Sequence, residues 1–118
     1  MERAHFVAAS TDLGTISVSE GALAEIVGRA AVESYGVVGL ASPNWWGRLL
    51  PGGSTKGVQV ERRDGGVGVD VHVVIEQGLN LTEVGAAVRA RVVHEIERHT
   101  GLHVEGVEVH VDRVRHSR

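Results

Sequence analysis

The chain has 118 residues, of which 42% are hydrophobic and 23% charged, and its formal net charge is -3 at pH 7. This length suits one domain with a modest core, and so mild a charge gives no reason to expect nucleic acid or an anionic membrane as partner. The lack of cysteine excludes disulfides, thiolate nucleophiles and Cys-ligated metals. No apolar run approaches the roughly 20 residues that span a bilayer. We therefore expect a cytoplasmic protein without direct membrane insertion.

The first part of the chain predicts one short strand and one helix. Residues 1–13 show no periodicity and are expected to be a flexible lead-in. The stretch "GTISVS" then alternates as a short strand does, and its last residue, Ser19, has the side chain of a helix N-cap. From Leu23 onward apolar residues recur at helical spacing. Gly36 is suited to a C-terminal cap, so we predict that this helix ends near Tyr35 and Gly36.

A β-hairpin is predicted in "GVQVERRDGGVGVDVHVVIEQG", residues 57–78. Val58 and Val60 alternate with polar residues, and the sequence Asp-Gly-Gly from Asp64 is typical of a tight turn. Valine or isoleucine then occupies every second position of residues 67–75. Such strict alternation indicates one buried and one solvated face.

The second helix and the last strand follow. Asn80 and Glu83 have the spacing of a capping box, and Gly101 should end the helix. In the stretch "HVEGVEVHVDRV" we predict a strand whose inward residues are Val107, Val109 and Val111. Val104 has the wrong parity for that face, so Gly106 is expected to mark a β-bulge.

These elements predict an α+β fold with the order β-α-β-β-α-β, in which two helices cover one face of a mostly antiparallel sheet. Right-handed crossovers would give a split βαβ, ferredoxin-like arrangement. The alternative is another α+β sheet order in which the short first strand is only marginal. We expect a single domain at residues 14–114, between the flexible lead-in 1–13 and a short basic tail at 115–118.

His72 and His110 are the candidates for a metal site, because both fall on the solvated face of the sheet. Asp70, Glu108 and Asp112 share that face, and two histidines could approach two carboxylates if the last strand lies beside the long hairpin strand. An ordinary solvated face with cross-strand charge pairs is the alternative. Nothing in the sequence builds a pocket around this cluster. We therefore predict no catalytic residue, no cofactor and no assigned metal.

The connection between the first helix and the hairpin, residues 41–56, is longer than a compact fold usually needs. It holds both tryptophans of a chain that has only four Phe, Tyr and Trp residues. One interpretation is a lid packed over the end of the core; the other is an exposed patch that docks a partner. The sequence does not decide between them. The interaction candidates are Trp45, Trp46, Arg48, Leu49 and Leu50.

Over about residues 14–114 the chain resembles the alkaline shock protein family, envelope-stress proteins mainly of Gram-positive bacteria. The resemblance rests on "GTISVSEGALAEIVGRAAVESYGVVGL", "TKGVQV", "VDVHVVIEQGLNLTEVGAAVRARVVHEIERHTGL" and "VEGVEVHV". It implies a non-enzymatic, cytoplasmic homo-oligomer that a membrane-anchored protein partner holds beneath the membrane. The competing hypothesis is a small-ligand or metal-binding regulatory domain that uses the face of His72 and His110.

Overall fold

A computed structural model describes residues 5–41 and 57–116. The elements in chain order are β1 (His5–Thr11), β2 (Gly14–Ser19), α1 (Glu20–Val32), β3 (Val37–Leu40), β4 (Val58–Arg63), β5 (Gly66–Glu76), α2 (Leu81–Thr100) and β6 (Val104–Arg115). This confirms the predicted α+β class. The described order is β-β-α-β-β-β-α-β, so the predicted order β-α-β-β-α-β omitted two strands.

β5 is the central strand of the main sheet. β4 pairs antiparallel with residues 66–71 of β5, and β3 pairs antiparallel with residues 73–75. Both lie on the same side of β5, one after the other. β6 pairs with the opposite side of β5 in parallel orientation, along residues 67–76. The main sheet is therefore three strands wide, with β3 and β4 in line at one edge and β6 at the other.

The core lies between one face of this sheet and both helices. The alternating residues of β5 at 67, 69, 71, 73 and 75 are fully buried, as the hydrophobic pattern predicted. Aliphatic residues of the helices pack against them; the most buried are Leu23, Val27, Val88, Val92 and Ile96. The face predicted to be inward is thus the face that the helices cover.

The helix ends follow the capping residues. The Oγ of Ser19 accepts a hydrogen bond from the Ala22 N–H at 3.1 Å, and the Asn80 side chain accepts one from the Glu83 N–H at 3.0 Å. Gly101 ends α2 in the left-handed conformation, with φ 76°. The first helix is shorter than predicted. It ends at Val32, and Gly36 instead adopts φ 90° in the turn before β3.

The lead-in expected at residues 1–13 is in part a strand, because His5–Thr11 form β1. β1 pairs antiparallel with β2 in a separate two-stranded sheet. Its anchor is Phe6, which is buried in the core and carries the guanidinium of Arg62 over its ring, 5.2 Å from the ring centre. The Arg62 guanidinium also donates a hydrogen bond to the carbonyl of His5.

This pairing excludes the ferredoxin-like arrangement, in which the strand before α1 would join the main sheet. The observed order corresponds to the alternative in which that strand is marginal. β2 has only six residues, and its Ile16 is 65% exposed, so it contributes little to the core. β3 was the second omission; at four residues it is too short to show a clear alternation.

Two predicted irregularities are confirmed. Asp64 adopts a positive φ of 50° in the turn between β4 and β5. The register of β6 against β5 shifts between Val104 and Gly106, which is the predicted bulge. Within residues 5–41 and 57–116, no helix is long and apolar enough to cross a membrane.

Candidate functional site

The face of the main sheet turned away from the helices, here called the open face, carries the predicted polar cluster. Asp70 and His72 lie on β5, and His110 and Asp112 lie on β6. The parallel register places His72 directly beside His110. The predicted cluster depended on the last strand lying beside the long hairpin strand. The structure shows that β5 and β6 are neighbours and that all four side chains lie together.

The two imidazole rings are stacked, with their centres 4.4 Å apart and their planes 15° from parallel. Each ring binds one carboxylate on the other strand. His72 Nδ1 is 3.0 Å from an Asp112 oxygen, and His110 Nε2 is 3.0 Å from Asp70 Oδ1. These side chains are 21% to 42% exposed. The cluster is a pair of crossed His–Asp contacts joining β5 to β6, and it stabilises their register.

This geometry does not suit a metal ion. Stacked, nearly parallel rings direct their nitrogen lone pairs outward in the planes of the rings, so the lone pairs of His72 and His110 do not converge. One nitrogen of each ring is also already bonded to a carboxylate. In the described part of the chain, no group of three or more His, Cys, Asp or Glu side chains could hold a metal ion.

Addition of Zn²⁺ is therefore expected to leave the melting temperature of the protein unchanged. The physical reason is that a ligand stabilises a fold only if it binds the native state more tightly than the unfolded chain. The measurement is thermal unfolding with and without an excess of Zn²⁺, with His94→Ala as the control for an exposed histidine elsewhere. A rise that disappears in His72→Ala but persists in His94→Ala would contradict the prediction and favour the metal-binding hypothesis.

Arg63 covers the open face beyond the cluster. A Cβ at Gly68 would lie 2.6 Å from the Arg63 guanidinium carbon, and one at Gly106 would lie 3.0 Å from a guanidinium nitrogen. The two glycines, adjacent in register, thus form the floor on which the side chain rests. A 2.7 Å hydrogen bond to Glu61 raises the pKa of Arg63 above its ordinary value. Arg63 therefore stays cationic on a face whose nearby charges are mostly acidic.

Ala41 and Gly57, the described residues on either side of the segment 42–56, meet at one point on the edge of the main sheet, here called the neck. The Ala41 N–H donates to the His72 carbonyl at 2.9 Å, and the His72 N–H donates to the Gly57 carbonyl at 2.8 Å. Gly57 has φ 81°, and a Cβ there would lie 2.4 Å from the Ala41 carbonyl oxygen. Only glycine fits this approach. The interaction candidates Trp45, Trp46, Arg48, Leu49 and Leu50 lie outside the described residues, between the two sides of the neck.

The β1–β2 hairpin exposes apolar side chains that the sequence analysis did not select. Leu13 at its turn is fully exposed, Ile16 is 65% exposed and Val7 is 57% exposed. Leu13 N–H donates to the Thr11 Oγ1 at 3.1 Å, which orders the turn. Val7 and Ile16 lie on the paired strands and Leu13 lies in the turn between them; the three exposed side chains are here called the hairpin surface.

Sequence reasoning thus found the histidine face but missed the neck and the hairpin surface. A signal for the neck was present: Gly57 immediately precedes the alternating β4, where a glycine with positive φ often marks a close approach of two backbones. The hairpin offered a weaker signal. Phe6 and Val7 are followed by three small residues, so no alternation was visible in β1.

Comparison with known proteins points to one family. The sequence model of the alkaline shock protein 23 family, described by a cell envelope-related function, matches residues 8–116. The uncharacterized protein Spy1614 of Streptococcus pyogenes serotype M6 is 34% identical over 111 residues, which cover 90% of this chain and 92% of that protein. The uncharacterized protein YloU of Bacillus subtilis (strain 168) is 31% identical over 114 residues, covering 89% and 92%.

A third similar protein is the uncharacterized protein YqhY of the same Bacillus subtilis strain. It is 27% identical over 104 residues, which cover 86% of this chain and 77% of that protein. No solved structure matches the chain significantly. The family match spans the main sheet, both helices and most of the β1–β2 hairpin.

Proposed function

The chain belongs to the alkaline shock protein 23 family, which has a cell envelope-related function, and from that premise we propose that it is a non-enzymatic, self-associating scaffold of the envelope stress response. In this proposal the protein is cytoplasmic and reaches the membrane through a membrane-anchored protein partner. The resemblance predicted from the sequence is confirmed at the level of the family. Stress response, scaffolding and recruitment go beyond that level and form the proposal.

The observation that carries the proposal is the exposed apolar surface of the β1–β2 hairpin. Ile16 extends from β2 and Leu13 from the turn before it, in a hairpin whose base is anchored by the buried Phe6. Burying one such aliphatic side chain in a partner contributes about 1.5 to 3 kcal/mol. Backbone pairing already orders the hairpin, and an element ordered before binding loses less conformational entropy when it docks.

The chemistry of the hairpin favours a protein rather than a lipid surface as its partner. Residues 5–19 contain no lysine or arginine, whereas elements that lie on anionic membranes usually combine apolar side chains with basic ones. We therefore assign the hairpin to the membrane-anchored protein partner. The open face, with its internally paired His72 and His110, supplies no comparable apolar area.

Sedimentation with washed native membranes tests this assignment. The wild-type protein is expected to sediment with them, to lose that binding after the membranes are treated with trypsin, and to ignore protein-free anionic liposomes. The double variant Leu13→Ser/Ile16→Ser should bind about tenfold or more weakly, since two apolar contacts are lost. Val32→Ser, at an exposed valine of α1, is the matched control and should bind normally.

Two results would contradict the proposal: equal binding to liposomes, or unchanged binding of the hairpin variant. Trp45→Ala/Trp46→Ala belongs in the same assay, because those residues remain the other predicted interaction surface. Loss of binding in that variant alone would move the docking site from the hairpin to the segment 42–56.

A further inference from the structure

The outer side of β6 is an unpaired strand edge. Among residues 5–41 and 57–116, no strand pairs with the side of β6 that faces away from β5. β6 is also the longest of the described strands, with 12 residues. A free edge of this length is a template for another strand, so the backbone groups that it presents determine what it can bind.

The register of β5 and β6 identifies those groups. Both backbone groups of His72, its N–H and its carbonyl, bond to the edge formed by β3 and β4. Because backbone groups alternate in direction along a strand, the N–H and carbonyl groups of Val71 and Val73 point to β6. In a parallel pair, a residue that points its backbone groups at the other strand bonds to the two neighbours of the residue opposite. The opposite residue itself points its N–H and carbonyl groups away from the pair. Val107, Val109 and Val111 lie opposite Val69, Val71 and Val73. These three valines therefore present their N–H and carbonyl groups on the free edge.

The free stretch is bounded at both ends. At its start, the outward Val104 N–H bonds to the Glu97 carboxylate at 3.3 Å, and the bulge before Gly106 follows. At its end, the register shifts again between Val111 and Arg113. Bulges of this kind limit the pairing of an edge to the regular stretch between them. Here that stretch is Gly106–Val111.

We propose that this stretch binds the same stretch of a second copy of the chain, antiparallel, with Val109 on the two-fold axis. The inference rests on the self-association in the proposed function and names the surface for it. Val109 would exchange both backbone hydrogen bonds with the partner's Val109, and Val107 would do so with the partner's Val111. The two main sheets would then form one continuous sheet across the dimer.

Charge selects this register. Centred on Val109, the pairing places Glu108 opposite the partner's His110, and the same contact recurs on the other side of the axis. Sliding the partner by two residues places Glu108 opposite the partner's Glu108 in one direction and opposite the partner's Asp112 in the other. Like charges directly opposite each other destabilise a strand pair. If the partner strand slid by one residue, side chains from the helix-covered face of one copy would lie opposite side chains from the open face of the other.

The helix side of the sheet leaves room for this dimer. A Cβ at Gly85 of α2 would lie 3.9 Å from the Val109 side chain, so the helix crosses β6 at the proposed axis with its smallest residue. The next residue on the helix, Ala86, is exposed and also small. Glycine and alanine at this point allow the two copies of α2 to approach each other across the axis.

Single cysteines test the register, because the chain has none of its own. In the proposed dimer the two Val109 Cα atoms lie about 5.5 Å apart, within the range of a disulfide. The two Val107 Cα atoms lie about 14 Å apart, because four residues separate them along the strand direction and each residue adds about 3.4 Å. Under oxidation, Val109→Cys is therefore expected to form about tenfold more covalent dimer than the matched Val107→Cys. A mixture of Val107→Cys and Val111→Cys chains should cross-link with each other.

A charge substitution gives a second test, which leaves the valines of β6 unchanged. Glu108→Lys places lysine opposite the partner's His110 twice, and we expect dimerisation to weaken about tenfold in sedimentation velocity. Glu25→Lys, an exposed glutamate of α1, makes the same charge change away from β6 and should dimerise like the wild type. Circular dichroism establishes that each variant is folded.

The outcomes separate this inference from the function on which it rests. A wild-type protein that stays monomeric at all concentrations overturns both. A wild-type oligomer in which Glu108→Lys behaves like Glu25→Lys, or in which Val107→Cys cross-links as well as Val109→Cys, overturns the β6 interface and leaves self-association standing. If a cysteine variant does not fold, the comparison of the two lysine variants decides.

Discussion

Replacement of Gly57 by alanine is expected to lower the free energy of unfolding by about 3 kcal/mol or more. Two effects contribute. At φ 81°, an alanine would carry the strain of the left-handed conformation, about 1 to 2 kcal/mol. Its Cβ would also lie 2.4 Å from the carbonyl oxygen of Ala41. Ala41 is itself held at this point by the hydrogen bond from its N–H to the His72 carbonyl, so a displacement of Ala41 that relieves the contact would disturb the edge pairing.

Gly101→Ala is the matched control for this prediction. Gly101 has nearly the same φ, 76°, but no atom lies within 4 Å of the Cβ that alanine would add. Only the conformational strain should therefore appear, about 1 to 2 kcal/mol. Urea unfolding with a common m-value measures both losses. Equal losses at the two positions would show that the close approach at the neck contributes nothing.

The second large effect is expected in the core, from Leu23→Ala. Leu23 of α1 is completely buried against the valines of β5. Truncation removes the packing of the side chain beyond its Cβ and leaves a cavity, and substitutions of this kind cost about 3 kcal/mol. Thermal and urea unfolding should both show the loss, without a change in the helix content of the native state.

Leu13→Ala makes the identical chemical change at a fully exposed leucine. It is expected to alter the free energy of unfolding by no more than about 0.5 kcal/mol. A comparable loss in both variants would mean that Leu13 is covered in solution, for example by another chain. The pair of variants therefore also reports on whether the hairpin surface is free in the isolated protein.

The parts of the fold that the sequence predicted well are those whose signal is local. Asn80 and Gly101 cap α2 because a side-chain oxygen and a left-handed glycine satisfy backbone groups a few residues away. The Gly106 bulge was visible as a break in the alternation of one strand. β1 and β3 were missed because their pairing depends on distant residues, and neither strand shows a clear alternation of its own.

The same distinction applies to the candidate site. Parity along each strand placed His72 and His110 on the open face, and that prediction is confirmed. Their stacking at 4.4 Å and their crossed contacts with Asp70 and Asp112 depend on which residues of β5 and β6 stand side by side. The pattern of β6 predicts the bulge before Gly106, but the alternation within each strand does not specify which residues of the two strands stand side by side.

The neck has a consequence for how this domain can vary. Ala41 and Gly57 are both hydrogen-bonded to His72. These bonds, together with the pairing of β4 with β5, fix the register of β4 independently of the segment 42–56. Doubling the number of residues inserted there would cost about 0.6 kcal/mol of loop-closure entropy. The neck is therefore a position at which evolution or an engineer can exchange one inserted segment for another while the rest of the domain keeps its fold.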